Sequence, residues 1–450
     1  MSLACMARPR LLPLAIGLLT AVGAAFAQAQ PAPADTTQLE RRLEQSLKLI
    51  DALSARVEAL EKQLAQSQKA GNGTAATAAM PSAPAASAAG TTARVDELER
   101  TVNQLTSAQG RDARDTGLPL HGFADVGWTQ VRHPAPGQKS GFAVGSLDFY
   151  LTPELGKVRT LVELNVGIES DGETTVDLER AQLGYAFSDQ LTLWLGRFHT
   201  PFGYWNMAFH HGAQIQPSVS RPRLLDFEDD GGILPVHTTG LWGTGSVRTS
   251  GGRLSYHLYT GNGTRLHHGE LDPNPSGDDN GNRVVGFALQ NRFNGALNGL
   301  TMGINGLRQT VAAYDDTDAL LARTRLNMLG AHAVYDNEGW ELIAEGYRLH
   351  NTDLSGTSGL HRSSAGYLHV SRNLAERWTP YLRLERASVD QADSYFALNA
   401  NGRSYTRQVL GLRYDTDPRA TLKFEWNRTR DDNGLRLNTD QWRFQYAVGF

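Results

Sequence analysis

The sequence predicts an all-β transmembrane barrel of about sixteen antiparallel strands, preceded by an N-terminal coiled-coil helix. Three observations carry this. A seven-residue apolar repeat runs through residues 35–70, the period falls to two from about residue 118 onward, and the connections between the period-two segments alternate between short and long. Composition agrees: 20% charged residues, 8% aromatics and 46 glycines in 450 residues fit neither a helical membrane protein nor a disordered chain. With Lys+Arg at 43 and Asp+Glu at 47, the net charge of -4 argues against a nucleic-acid partner.

Taken in order, Arg8 and Arg10 precede an apolar stretch from Leu11 to Ala25, and Ala25-Phe26-Ala27 is a small-x-small cleavage site. Residues 1–27 therefore read as a secretory signal peptide. The sole cysteine, Cys5, leaves with it, so the mature chain is expected to have no disulfide and no thiolate chemistry.

In the stem, residues 35–70, Leu43, Ile50, Val57 and Leu64 form one heptad series, while Leu39, Leu53 and Leu60 form the other, broken only by Ser46. Arg56 and Glu61 fall at flanking positions able to pair between helices, which favours a parallel coiled coil. Residues 71–92 are Ala, Gly, Ser, Thr and Pro and form a linker; a second short coiled-coil segment, 93–108, carries Val95, Leu98, Val102 and Leu105.

The barrel is assigned to 118–450. In segment 158–168, Val158, Thr160, Val162, Leu164, Val166 and Ile168 alternate with Arg159, Leu161, Glu163, Asn165 and Gly167. The last segment sets Trp442, Phe444, Tyr446, Val448 and Phe450 against Arg443, Gln445, Ala447 and Gly449. One face suits lipid and the other a polar lumen. Strands are expected near 119–129, 142–151, 157–168, 176–187, 190–198, 239–249, 252–261, 282–292, 298–307, 321–334, 339–349, 364–372, 378–388, 404–414, 420–429 and 439–450. Long connections fall at 199–238, 262–281, 308–320, 350–363 and 389–403, and short turns at Pro153-Glu154, Phe187-Ser188-Asp189, Ser250-Gly251, Asn294-Gly295, Asp336-Asn337 and Asp415-Thr416-Asp417. Short turns on one rim and long loops on the other describe a bacterial outer-membrane barrel with the stem on the periplasmic side.

Such a barrel encloses a water-filled lumen, and the longest connection, about 199–238, is the candidate constriction. It holds Tyr204, Trp205, His210, His211, Arg221, Arg223, Asp226, Glu228, Asp229, Asp230 and His237. Arg221 and Arg223 suit an anionic solute, since guanidinium groups offer several donors and stay charged. Strand parity adds Arg159, Arg383, Lys423 and Arg443 as inward basic groups, with Glu163, Glu385 and Glu425 as acidic counterparts. Arg197, Arg348, Arg407 and Arg413 are further basic candidates without an assigned face. The pairs His210-His211 and His267-His268 lack the helical spacing of a metalloprotease site, so no metal, no cofactor and no enzymatic activity are expected.

The stretch Leu195-Gly196-Arg197-Phe198-His199-Thr200-Pro201-Phe202-Gly203, followed by the Arg221-containing loop, resembles the phosphate-selective porin O and P family and related dicarboxylate-porin-like proteins with an N-terminal coiled coil. The resemblance implies a trimeric, sixteen-stranded porin for small anions, embedded in outer-membrane lipid and lipopolysaccharide. It also implies a periplasmic stem that assists trimerisation or contacts peptidoglycan. The acidic run Asp226–Asp230 departs from a dense basic ladder, so small carboxylates fit as well as phosphate. Two readings stay open beside it: a sugar-selective or general porin using Tyr204 and Trp205 for stacking, and an envelope-tethering protein whose barrel is an anchor.

Overall fold

The computed structural model describes residues 120–450, apart from 133, 135–138, 169–171, 229–231, 274–276, 279–282, 338, 357–358 and 433–437. The expected signal peptide, the linker, the second coiled-coil segment and the stem positions Leu39, Leu43, Ile50, Leu53, Val57, Leu60 and Leu64 lie outside the described residues, as do Asp229 and Asp230.

Sixteen antiparallel staves close on themselves among the described residues. They are β1 (Leu120–Arg132), β2 (Gly141–Leu151), β3 (Val158–Ile168), β4 (Thr174–Ser188), β5 (Leu191–His199), β6 (His237–Thr249), β7 (Gly252–Gly261) and β8 (Val284–Phe293). The second half comprises β9 (Leu300–Tyr314), β10 (Leu320–Asn337), β11 (Trp340–Asp353), β12 (Leu360–Arg372), β13 (Trp378–Ser388), β14 (Ser404–Asp417), β15 (Ala420–Asp432) and β16 (Asn438–Gly449). Each stave pairs with its neighbour in sequence, and β1 seals the barrel against β16 with Ala124 opposite Val448 and Trp128 opposite Phe444. Closure leaves no stave with an unpaired edge, which a sheet in hydrocarbon requires.

The alternation read from the sequence becomes two faces. Along β12, Tyr367 and His369 are buried while Leu368 is exposed; along β13, Arg383 and Glu385 are buried between exposed Leu382 and Leu384; along β16, Trp442, Phe444 and Tyr446 are exposed. The charged and polar set faces the lumen, and the outward set forms the apolar face that a bilayer would cover.

Two connections are shorter than expected. β9 and β10 continue past 307 and 321 to meet at a five-residue turn, 315–319, where Asp315 Oδ1 accepts from the amides of Thr317 (2.8 Å) and Ala319 (3.0 Å). β11 and β12 likewise run to Asp353 and from Leu360. Arg308, His350 and Arg362 on these extensions point outward, so the ladder outlasts the apolar outward face.

A barrel of this size has no core of its own; here the long connection supplies one. Phe198, Phe202, Trp205, Phe209, Leu224, Leu225, Leu234 and Val236 are fully or almost fully buried and pack with Tyr347, Tyr367, Leu326 and Val311 from the wall. Burying such side chains stabilises by roughly 1.5–3 kcal/mol each. That is enough to hold the segment inside rather than above the barrel.

Candidate functional site

The chain leaves β5 at His199 and re-enters the wall at His237, its direct cross-strand partner. Between them it folds into the lumen as a short helix, α1 (Trp205–Ala208), and a 3₁₀ turn over Arg223–Leu225. Gly203 makes the inward bend: its φ is +62°, and a Cβ there would collide with the Glu345 carboxylate and the Tyr347 hydroxyl. Only glycine meets both demands without strain.

The wall grips the backbone of this loop at successive points. Glu345 Oε1 on β11 accepts from the amides of Tyr204 (3.1 Å) and Trp205 (2.7 Å), and the Tyr367 hydroxyl donates to the same oxygen at 2.6 Å while the Tyr347 hydroxyl donates to Oε2. Across the lumen, Glu425 Oε2 on β15 accepts from the amides of Val219 (3.0 Å) and Ser220 (3.1 Å), and Glu385 on β13 accepts from the amide of Arg223 at 2.8 Å. Asp148 on β2 accepts from the Gly212 amide at 3.2 Å. Gln214 reaches the opposite, short-turn rim, donating to the Pro418 carbonyl at 3.2 Å. From the long-loop rim, Tyr395 donates to the Ile233 carbonyl at 2.7 Å. The loop thus enters at one rim, descends through the lumen and returns.

Expected solute contacts turn out to have different surroundings. Arg383 is fully buried and donates to Ser218 Oγ (2.6 Å), the Ser220 carbonyl (2.8 Å), Ser220 Oγ (2.9 Å) and the Arg221 carbonyl (3.0 Å). Lys423, also buried, donates to the Ala213 carbonyl. Arg159 donates to the Gly156 carbonyl at 2.5 Å, in the turn before its own strand. Arg221 lies with its guanidinium 3.7 Å from the centre of the Phe227 ring, and Arg223 pairs with Asp431 while stacking 4.6 Å over Tyr405. Arg443 is half-buried and donates to Gln441 at 2.9 Å. Among the candidates of unassigned face, Arg407 and Arg413 are buried inside, Arg197 lies 3.9 Å from Glu179, and Arg348 is exposed on the outer face.

Of the loop residues, Trp205 is fully buried, edge-on to Phe209 and Tyr367, and Tyr204 packs edge-on to Phe209. Neither ring is placed as a stacking platform. Asp226 closes the 3₁₀ turn. His210, His211, His237 and Glu228 converge with His199, Glu163 and Glu179. Glu179 was not singled out by parity because it is the extra residue of a bulge in β4, between Leu178, opposite Leu164, and Arg180, opposite Glu163. The bulge lets adjacent residues both serve the lumen, and Arg180 pairs with Glu163. Burial and the neighbouring His199 and His237 push the His210 pKa well down, keeping it neutral. Burial also opposes charge on His211, but its hydrogen bond to Asp148 and attraction to Glu163 and Glu179 outweigh it and raise its pKa to about 10.

No protein-family model and no curated protein sequence matches the chain. Solved structures do resemble it. An anion-selective porin from Comamonas acidovorans superposes with a TM-score of 0.52 at 13% identity, covering 74% of this chain and 99% of that one. A loop-L8 deletion mutant of OmpT, an outer-membrane protein of Vibrio cholerae, gives 0.50 at 10% identity over 74% and 99%. The fold is therefore porin-like, at an identity that carries the architecture alone.

Proposed function

We propose that the protein is a non-enzymatic outer-membrane porin through which small hydrophilic solutes diffuse passively, with the 200–236 loop as its constriction. The observation that carries this is the loop itself: a segment anchored by Glu345 on one side of a sixteen-stave barrel and by Glu425 and Glu385 on another narrows whatever path the lumen offers. A soluble barrel would not need the apolar outer face, and a mere anchor would not need an organised lumen.

Anions are the favoured solutes. Arg223 keeps 15% of its side chain exposed within the barrel, and Arg443 is half-buried with a neutral partner in Gln441. In this reading they are the groups that meet solute, while Arg221 is buried against Phe227 and Arg383, Lys423 and Arg159 serve loop and turn carbonyls. The anion-selective porin that shares the fold supports this reading. Phosphate and small carboxylates remain equivalent in it, since both match a guanidinium fork. Trimerisation, a periplasmic stem and contact with lipopolysaccharide and peptidoglycan belong to the same proposal, resting on the heptads of residues 35–70 and the outward arginines.

Arg443→Gln tests the solute class. In planar bilayers under a salt gradient, the wild type is expected to show an anion-favouring reversal potential that moves toward zero in the variant. An unchanged potential would remove Arg443 from the solute path, and a cation-favouring wild type would overturn the anion reading.

A further inference from the structure

Four histidines that lie far apart in sequence meet at the base of the loop. His199 ends β5, His237 begins β6, and His210 and His211 follow α1. The ring of His210 stacks 3.7 Å from that of His199 and lies 4.6 Å from that of His237. All of these rings are more than nine-tenths buried, and Nε2 of each has no hydrogen-bond partner among the described residues. A buried imidazole nitrogen left unserved is destabilising.

The surrounding hydrogen bonds decide which nitrogen carries the proton. Asn206 donates through Nδ2 to the Thr200 carbonyl (2.9 Å) and the Val236 carbonyl (3.3 Å), so its Oδ1, 2.7 Å from His210 Nδ1, acts as acceptor. His210 is thereby protonated at Nδ1, with its Nε2 lone pair free. Glu228 does the same for His237: Oε1 accepts from the His237 amide at 2.8 Å and Oε2 lies 2.9 Å from Nδ1. A carboxylate or amide on the far nitrogen is the usual arrangement behind a metal-binding imidazole. Glu179 Oε2 sits 2.9 Å from His237 Nε2, outside good hydrogen-bond angles, so this edge of the cluster carries a negative charge beside the histidines.

We propose that His199, His210 and His237 form a binding site for one divalent transition-metal ion of the Zn2+ class, with a solvent or solute atom completing its coordination. Ligand atoms of the three histidines lie within 4.8 Å of one another, and three imidazoles suit Zn2+, and also Cu2+ or Ni2+, rather than Ca2+ or Mg2+. His211 is the outlying member, held 3.4 Å from Asp148 and 3.5 Å from Glu179, a position that favours an imidazolium over a ligand. The bound ion would tie the two strand ends to the body of the loop and lock the constriction at its base.

The test uses the purified full-length protein, folded in detergent, stripped with chelator and then equilibrated with Zn2+ or Co2+. The expected result is one Zn2+ retained per chain after gel filtration, and visible Co2+ bands of four-coordinate intensity. His210→Ala should lose both, Glu228→Gln, a positioning change, should weaken binding about 10- to 100-fold, and His268→Ala, on an exposed residue outside the cluster, should leave binding unchanged. Wild-type barrels of native, heat-modifiable mobility that retain no Zn2+ would overturn the proposal and leave a proton between His237 and Glu179. Binding that survives His210→Ala, or that is lost in His268→Ala, would overturn it equally by placing the ion elsewhere.

Discussion

At the scale of single residues, the loop depends on positions whose chemistry is dictated by what touches them. Gly203→Ala forces a left-handed backbone on a residue with a Cβ, at about 1–2 kcal/mol, and drives that Cβ into the Glu345 and Tyr347 side chains. The variant is expected to assemble but to melt earlier and to show a larger, noisier single-channel current. An unaltered melting temperature and current would show that the bend at Gly203 does not hold the loop. Parity alone placed Arg383 and Lys423 inside the barrel, because a period-two strand declares its faces. It could not say that they would be sealed beneath a loop, since the partners, Ser218, Ser220 and Ala213, lie more than 160 residues away in sequence. Glu179 escaped for a local reason: a bulge shifts the phase by one residue, and nothing in Leu178-Glu179-Arg180 announces it.

Among the elements, the staves were the most legible part. The alternation in β3, β12, β13 and β16 follows from one face needing apolar contact and the other polar contact, and the pairing respects it. The tops of β9, β11 and β12 read as loop in the sequence because Arg308, His350 and Arg362 stand where apolar outward residues would be, while the ladder of hydrogen bonds continues. The wall-to-loop anchors are the element-scale claim. Glu345→Ala would strip acceptors from the amides of Tyr204 and Trp205 and from two tyrosine hydroxyls, each buried donor costing about 1–3 kcal/mol if left unserved. Thermal unfolding followed by heat-modifiable mobility should drop by several degrees, and protease should cut within 204–234 in the folded barrel. Retained melting temperature with full protease resistance would mean that the other anchors hold the loop without Glu345.

For the whole molecule, the proposed function rests on closure of the staves together with an inward loop. The shape-determining facts were visible in the sequence as a long connection after the fifth strand, rich in aromatics and charge. Its path down to Pro418 and back was not, because it is set by contacts with β1, β2 and β11 to β15 that no local pattern encodes. The histidine cluster is a similar case: His199, His210 and His237 become neighbours only when the loop closes on its own base. The most direct measurement is single-channel conductance, in planar bilayers, of the full-length protein beside a variant in which residues 204–234 are replaced by a short Gly-Ser turn; His199 and His237, already paired across the ladder, allow that splice. The account predicts a stepwise channel whose conductance rises severalfold in the variant and whose ion preference is lost. Equal conductance and equal preference in two correctly folded barrels would contradict it, because the loop would then not be the narrowest part of the path.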